Sequence, residues 1–177
     1  MATFVLVPGA WHGSWAFEAV TPLLAAAGHT VHALTLTGLS PDHDDETAAR
    51  ANLDTHATDV VRVLEAADIT EATLVGHSYG GMVITAAADR AAQRVSRLVH
   101  LDAYVPRDGD SCWSLTTDAY RQSFIDGAAE TGHTVRPPFR PRAAASLAAA
   151  RGRNGPRAAA SLAAARIRWA LSCSGSG

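Results

Sequence analysis

Over its first hundred residues the chain alternates short apolar runs with longer amphipathic stretches. Thr3 to Val7 is an apolar run closed by Pro8-Gly9, the pattern of a buried strand. Ser14 is placed to N-cap a helix with Trp15, Val20, Leu23 and Leu24 turned inward and its end at Gly28. Thr30 to Leu36 predicts a second strand. Thr37 to Thr47 is polar, holds the acidic run Asp42-His43-Asp44-Asp45-Glu46, and predicts a loop. Residues 53 to 67 predict a helix with Val60, Val61, Val63 and Leu64 as core positions. Thr73-Leu74-Val75 reads as a buried strand. Met82 to Ala88 reads as a helix packed on a sheet and running to about Ala92. Val95 to Leu101 is a fourth strand, ending at Asp102.

Strands separated by helices need crossover connections, so the pattern predicts an α/β fold: a parallel sheet with helices on both faces. Ligands bind such sheets beyond the carboxyl ends of the strands. Gly9, Ser78 and Asp102 all follow a strand's carboxyl end, which puts a site there.

The pattern changes further along. Pro106 and Gly109 break the chain, then Leu115 to Ile125 predicts a helix that begins a lid or cap over that site. From Thr131 no regular pattern remains. Arg-Ala-Ala-Ala-Ser-Leu-Ala-Ala-Ala-Arg occurs twice, at 142–151 and 157–166, and the chain closes on Ser-Gly-Ser-Gly. Alanine favours helix, but one leucine per copy offers no face worth burying. Two copies also fall short of the roughly three units a solenoid needs. The expected division is therefore 1–130, the start of a folded α/β domain, and 131–177, a low-complexity tail that is disordered or irregularly helical.

Charge sharpens that boundary. All 17 acidic residues lie at or before Glu130, with seven arginines among them; eight arginines and no acid follow, and the chain has no lysine. The net charge of −2 conceals this asymmetry. Nucleic-acid binding by the basic tail is the remote reading, because aromatic residues are nearly absent there. No apolar run approaches the roughly 18 residues of a transmembrane helix. Met1 to Val7 has neither a basic flank nor a cleavage site, so it reads as a strand and the expected location is cytoplasmic. Cys112 and Cys173 lack metal-ligand spacing and are too few for a disulfide framework. The acidic run 42–46 fits no calcium loop. No metal or cofactor is expected.

The chemistry concentrates at Val75-Gly76-His77-Ser78-Tyr79-Gly80-Gly81. Gly-x-Ser-x-Gly alone is a weak signal, but a strand before it and a helix after it are the context of a nucleophile elbow. Ser78 would sit at the tip of the turn in a strained backbone. Gly76 and Gly80, without Cβ atoms, would let strand and helix cross beside it. The bland alternative is a tight strand–helix turn whose serine is only a cap.

The elbow and the first loop together resemble the α/β-hydrolase superfamily. Phe4 to Trp15, reading Phe-Val-Leu-Val-Pro-Gly-Ala-Trp-His-Gly-Ser-Trp, resembles the opening of the subgroup of plant methylesterases, hydroxynitrile lyases and bacterial esterase relatives. Pro22 to Val31, Val75 to Met82 and Leu101 to Pro106 resemble it at their own places, and the likeness runs from residue 3 to about 125. It implies that Ser78 is the nucleophile and that the backbone N–H groups of Ala10 and Tyr79 form the oxyanion hole. A small-molecule ester is the implied substrate. Many relatives carry His where Pro8 stands. Lyases of the subgroup use a loop threonine and a lysine; here Gly9 stands in the loop and lysine is absent, which favours ester hydrolysis.

A serine needs a base. In this superfamily the order is Ser, Asp or Glu, then His, far along the chain. Here no acid follows Glu130 and no histidine follows His133, which suggests a C-terminal part lost or replaced, for instance by a frameshift. Asp102 is the alternative acid and His133 the only late base. His12 and Trp11 are candidates to touch substrate, or else they pack and fix the loop. His77 is expected to pack beside the site, His100 to be buried and satisfied, and His29, His32, His43 and His56 to lie at the surface. Two function readings stay open: a serine esterase, and a catalytically impaired remnant that at most binds small apolar ligands. A sheet of four strands would also leave an edge uncovered and prone to pairing.

Overall fold

The computed structural model of the protein describes residues 1–40 and 42–131. The tail expected over 131–177, with His133, the repeats and Cys173, lies outside them apart from Thr131.

Four parallel strands form one sheet: β1 (Thr3–Val7), β2 (Thr30–Ala33), β3 (Ala72–Ser78) and β4 (Val95–Ala103), in the order β2-β1-β3-β4. The expected parallel α/β fold is the one found. β1 is followed by β2 on one side and by β3 on the other, so the strand order reverses between β1 and β3. The carboxyl ends of these two strands therefore border the crevice where such sheets hold ligands.

Among the described residues six helices accompany the sheet: α1 (Thr21–Ala26), α2 (Asp45–Arg50), α3 (Leu53–Ala66), α4 (Gly80–Arg90), α5 (Cys112–Leu115) and α6 (Asp118–Thr131). The core lies between the sheet and the pair α3 and α4. Val5 and Val7 of β1, Leu74 of β3, Val60 and Leu64 of α3, and Val83 and Ile84 of α4 are all fully buried in one cluster. Each such side chain contributes roughly 1.5–3 kcal/mol on leaving water. Alternation along β1 sends Leu6, also buried, to the opposite face. α3 starts where the sequence predicts because Asn52 and Thr55 form a reciprocal capping box. Arg90 of α4 reaches back to the Asp54 carboxylate and to the Thr58 hydroxyl, tying the two helices at the surface.

Three expectations are corrected. The first helix is not continuous: a 3-10 turn spans Ser14–Phe17 and α1 begins anew after Val20, with Pro22 in its first turn. Proline lacks the N–H that would continue a helix arriving from Ser14. Ser14 makes no cap bond, and Val20 and Leu23 are exposed rather than inward. β2 stops at Ala33, short of Leu36. The polar stretch 37–47 is not all loop, because Asp44 accepts the Thr47 N–H at 2.7 Å and starts α2.

β4 pairs only with β3 among the described residues, and Leu98, Val99 and Leu101 on it are exposed. No helix among the described residues is long and apolar enough to cross a membrane.

β3 and α4 cross too closely for any side chain between them. A Cβ on Gly76 would lie 2.4 Å from the Gly80 carbonyl oxygen, and one on Gly80 would lie 2.6 Å from that of Val7. Both obstacles are backbone and cannot rotate away. Gly76→Ala should therefore cost about 3 kcal/mol of unfolding free energy. Gly28→Ala is the control: its φ of +83° strains an alanine, but nothing lies within 4 Å. It should lose only about 1–2 kcal/mol. Urea titrations followed by circular dichroism compare the two, and equal losses would show that the crossing is not tight.

Candidate active site

β3 ends on Ser78, whose φ is +53°, in the left-handed region that ordinary residues avoid. Tyr79 already has helical dihedrals and α4 starts at Gly80, so strand turns to helix within one residue. The Ser78 carbonyl accepts the Tyr104 N–H at 3.1 Å, and Met82 N–H donates to the Tyr79 carbonyl at 2.9 Å. The turn is thus held on both sides of the serine. α4 aims its N-terminal amides and the positive end of its dipole at the space above Ser78.

The loop after β1 presses on the same point. A Cβ on Gly9 would sit 2.9 Å from the Ser78 Cβ and 3.0 Å from the His77 Nδ1. Only glycine lets Pro8-Gly9-Ala10 pass so near the elbow. The loop then turns sharply. His12 N–H donates to the Gly9 carbonyl at 3.3 Å, and Trp11 has a φ of +63°. The His12 Nδ1 stands 2.7 Å from the Ala10 carbonyl. A carbonyl only accepts, so Nδ1 carries the proton and the ring clamps the Ala10 peptide.

β4 supplies the third wall. Its pairing with β3 slips by one residue after His77: His77 faces Leu101 but Ser78 faces Ala103. Asp102 is the extra residue, with a φ of +44°. Such a bulge bends a strand end and re-aims its side chains. Beyond it the Tyr104 hydroxyl donates to the Thr116 hydroxyl at 3.2 Å, tying the strand end to the segment joining α5 and α6.

These walls enclose a cleft of about 610 Å³. All six residues expected at the site line it: Ala10, Trp11, His12, Ser78, Tyr79 and Asp102. His77 lines it too, next to His12, with ring centroids 5.9 Å apart. The sequence missed Tyr104, Thr116, Thr117, Tyr120 and Phe124, which form the opposite side. The helix expected over 115–125 was the available signal; it is divided, because α5 ends at Leu115 and α6 starts at Asp118, and Leu115, Tyr120 and Phe124 line the cleft.

Burial shapes the ionisable groups. Desolvation lowers the His77 pKa, the His12 ring lowers it further, and Asp102 opposes both. Desolvation pushes the Tyr79 phenol up and the Cys112 thiol up to about 12, so both stay protonated at neutral pH. The other correction among the site's neighbours is His56. It is not a surface residue but 4% exposed, with one ring nitrogen on the Tyr79 hydroxyl and the other on the Thr37 carbonyl, both at 2.9 Å. Histidine is polar enough to suggest a surface in sequence, yet two fixed partners satisfy it inside. His100 is half-buried, 3.4 Å from the Thr85 hydroxyl. Among the described residues, no group of three or more His, Cys, Asp or Glu could hold a metal ion.

A serine at a strand–helix elbow, at the reversal point of a parallel sheet, with a glycine loop from the first strand against it, defines a hydrolase of the α/β class. The chain belongs to the alpha/beta hydrolase family, whose pattern it matches over residues 4–175. It is 46% identical over 119 residues to a carbendazim hydrolyzing esterase from Nocardioides sp. (strain SG-4G), covering 67% of this chain and 49% of the relative. It is 38% identical over 104 residues to salicylic acid-binding protein 2 from Nicotiana tabacum, covering 58% of this chain and 40% of the relative. In three dimensions it matches an extracellular α/β-hydrolase from a Paenibacillus species with a TM-score of 0.71 and 28% identity, covering 78% of this chain and 56% of that one. The chain spans about half the length of these curated relatives.

The burial of His56 has a consequence for pH. Desolvation holds its pKa below the ordinary imidazole value, against the opposing pull of the Thr37 carbonyl and Asp59. As pH falls, the unfolded chain takes up this proton first. Stability from the neutral ring is complete above about pH 6.5 and is lost progressively below it, until the folded ring also protonates. His77 acts with the same sign. The urea midpoint should therefore fall between about pH 7.5 and about pH 5.5, and fall less in His56→Phe. Identical falls in the two proteins would remove His56 as the source.

Proposed function

We propose that the protein is a serine esterase of small esters. Ser78 is the nucleophile. Its hydroxyl oxygen attacks the acyl carbon, the C=O electrons move onto oxygen, and the N–H groups of Ala10 and Tyr79 receive that oxyanion. Collapse of the intermediate expels the alcohol, and water then releases the acid. A base must take the serine proton. The positive φ of Ser78, with the Gly9 loop against it, is the observation that carries this reading. A strained serine above a helix N-terminus is costly for a mere cap and useful for a nucleophile. Backbone donors need no reorganisation as charge develops, and one of them typically contributes about 2.7–4 kcal/mol to the transition state.

The lining favours an ester with a flat apolar part. Trp11, Tyr104, Tyr120 and Phe124 supply aromatic surface, while the Thr116 and Thr117 hydroxyls offer hydrogen bonds. Relatives named as a carbendazim hydrolyzing esterase, a methylesterase and a methyl jasmonate esterase support ester chemistry of this kind.

A second reading, the impaired remnant, has its own observation. Desolvation and the His12 ring both lower the pKa of His77, which lines the cleft with Ser78, and so weaken it as a base. In this reading Asp102 has no catalytic role. In the first, Asp102 is the alternative acid, beside His77.

Hydrolysis of p-nitrophenyl acetate by the wild-type protein and by Ser78→Ala decides between them. The esterase reading expects wild-type turnover that falls to the uncatalysed background in Ser78→Ala. Equal rates from the two proteins would leave the remnant.

A further inference from the structure

Tyr79 contributes more than a backbone amide. Its side chain packs against the core cluster, and its hydroxyl meets the Nδ1 of His56 at 2.9 Å. The rings meet edge to face, 5.6 Å apart with an interplanar angle of 77°. His56 is on α3, 23 residues earlier in the chain, and is as buried as the core aliphatics.

The second bond of His56 fixes its chemistry. Nε2 faces the Thr37 carbonyl at 2.9 Å, and a carbonyl can only accept. Nε2 therefore carries the proton. In the neutral ring, which burial favours, Nδ1 is then a lone pair, and the Tyr79 hydroxyl must donate to it. Thr37 is fixed in turn. Its N–H donates to the Asp59 carboxylate at 2.8 Å and its hydroxyl donates to the other carboxylate oxygen at 2.9 Å. Asp59 lies three residues after His56, on the same face of α3. The sequence Asp59, Thr37, His56, Tyr79 is one directed set of bonds, in which every donor has one acceptor.

This set ends one peptide from a strained serine. The Ser78–Tyr79 peptide carries the N–H that an oxyanion needs, and its direction depends on the φ of +53° at Ser78. Backbone in that region persists only where the surroundings over-determine it. On one side Gly80 packs against the end of β1. On the other, a phenol packed against the core has one low-energy place for its hydroxyl, because a polar group left unpaired there loses its bonds to water without replacement. We propose that His56 is a positioning residue for the oxyanion hole: held in its Nε2–H form by Thr37, it anchors the Tyr79 hydroxyl and so keeps the Tyr79 N–H aimed above Ser78. The inference rests on the esterase reading of Ser78 and adds a residue that touches neither substrate nor nucleophile.

The test uses the reaction of Ser78 with a fluorophosphonate, in which an Oγ–P bond forms, fluoride leaves and the phosphoryl oxygen occupies the oxyanion hole. Labelling is followed by mass spectrometry of the intact chain. Tyr79→Phe, which removes one oxygen from a buried ring, is the principal variant, and His56→Phe and the double variant complete a cycle. The maximal labelling rate should fall about tenfold in each single variant with little change in the half-saturating concentration. The double variant should be no slower than either single one, since both remove the same bond. Ring ¹⁵N spectra of the wild-type protein should show His56 protonated at Nε2 only, and its Nδ1 resonance should move in Tyr79→Phe.

Four outcomes overturn the proposal. One is wild-type labelling with an unchanged rate in a folded Tyr79→Phe, which would leave His56 a packing residue. Another is additive losses in the double variant. A third is a His56 ring protonated at Nδ1. Failure of the wild-type Ser78 to label at all would remove the esterase reading itself, and the positioning role with it.

Discussion

Everything at the site depends on backbone approaching backbone at the elbow. Gly76 and Gly80 bring β3 and α4 to the distance where a methyl group would strike a carbonyl, and Gly80 brings α4 to the end of β1. That closeness is what lets one residue, Ser78, carry the whole reversal from strand to helix. It also places the start of α4 against the end of β1, more than seventy residues earlier in the chain. Larger residues would separate β3 from α4, relax Ser78 out of its left-handed conformation, and turn its hydroxyl and the following amide elsewhere.

The strain at Ser78 is offset by elements that have other reasons to be where they are. α3 and α4 are pinned by the buried aliphatic cluster and by the capping box at Asn52. The same α3 carries His56 and Asp59 on the face that reaches the end of β2 and the elbow. At the other side, the bulge at Asp102 brings Tyr104 under the Ser78 carbonyl and starts the segment that roofs the cleft. Core, polar network and strand bulge converge on the carboxyl ends of β1, β3 and β4, where the reversal of strand order already leaves an opening.

The elbow, the parallel sheet and the six residues expected at the site were legible because each has a short-range cause. A glycine pair flanking a serine, a run of Val and Leu, or a Pro-Gly stop signals its structure within a few positions. What stayed hidden depends on partners far along the chain. His56 looks like any polar residue on a helix until Thr37 and Tyr79 are seen around it. Tyr104 and Tyr120 gain meaning only when the β4 bulge and α6 are folded over Ser78. The broken first helix is a different failure. Its apolar spacing fits one period, while Pro22 is the local signal that splits it.

The geometry divides the chemistry into two parts with different physical demands. In the proposed esterase, charge on the developing oxyanion would be met by backbone donors and a helix terminus, whose directions are set by folding and do not change with protonation. Removing the serine proton requires a side chain whose pKa, reach and partners all match. The segments proposed for the first part, residues 9–12 and 76–81, approach each other where Gly9 meets Ser78. The second is more demanding, because desolvation and the neighbouring His12 ring both lower the basicity of His77.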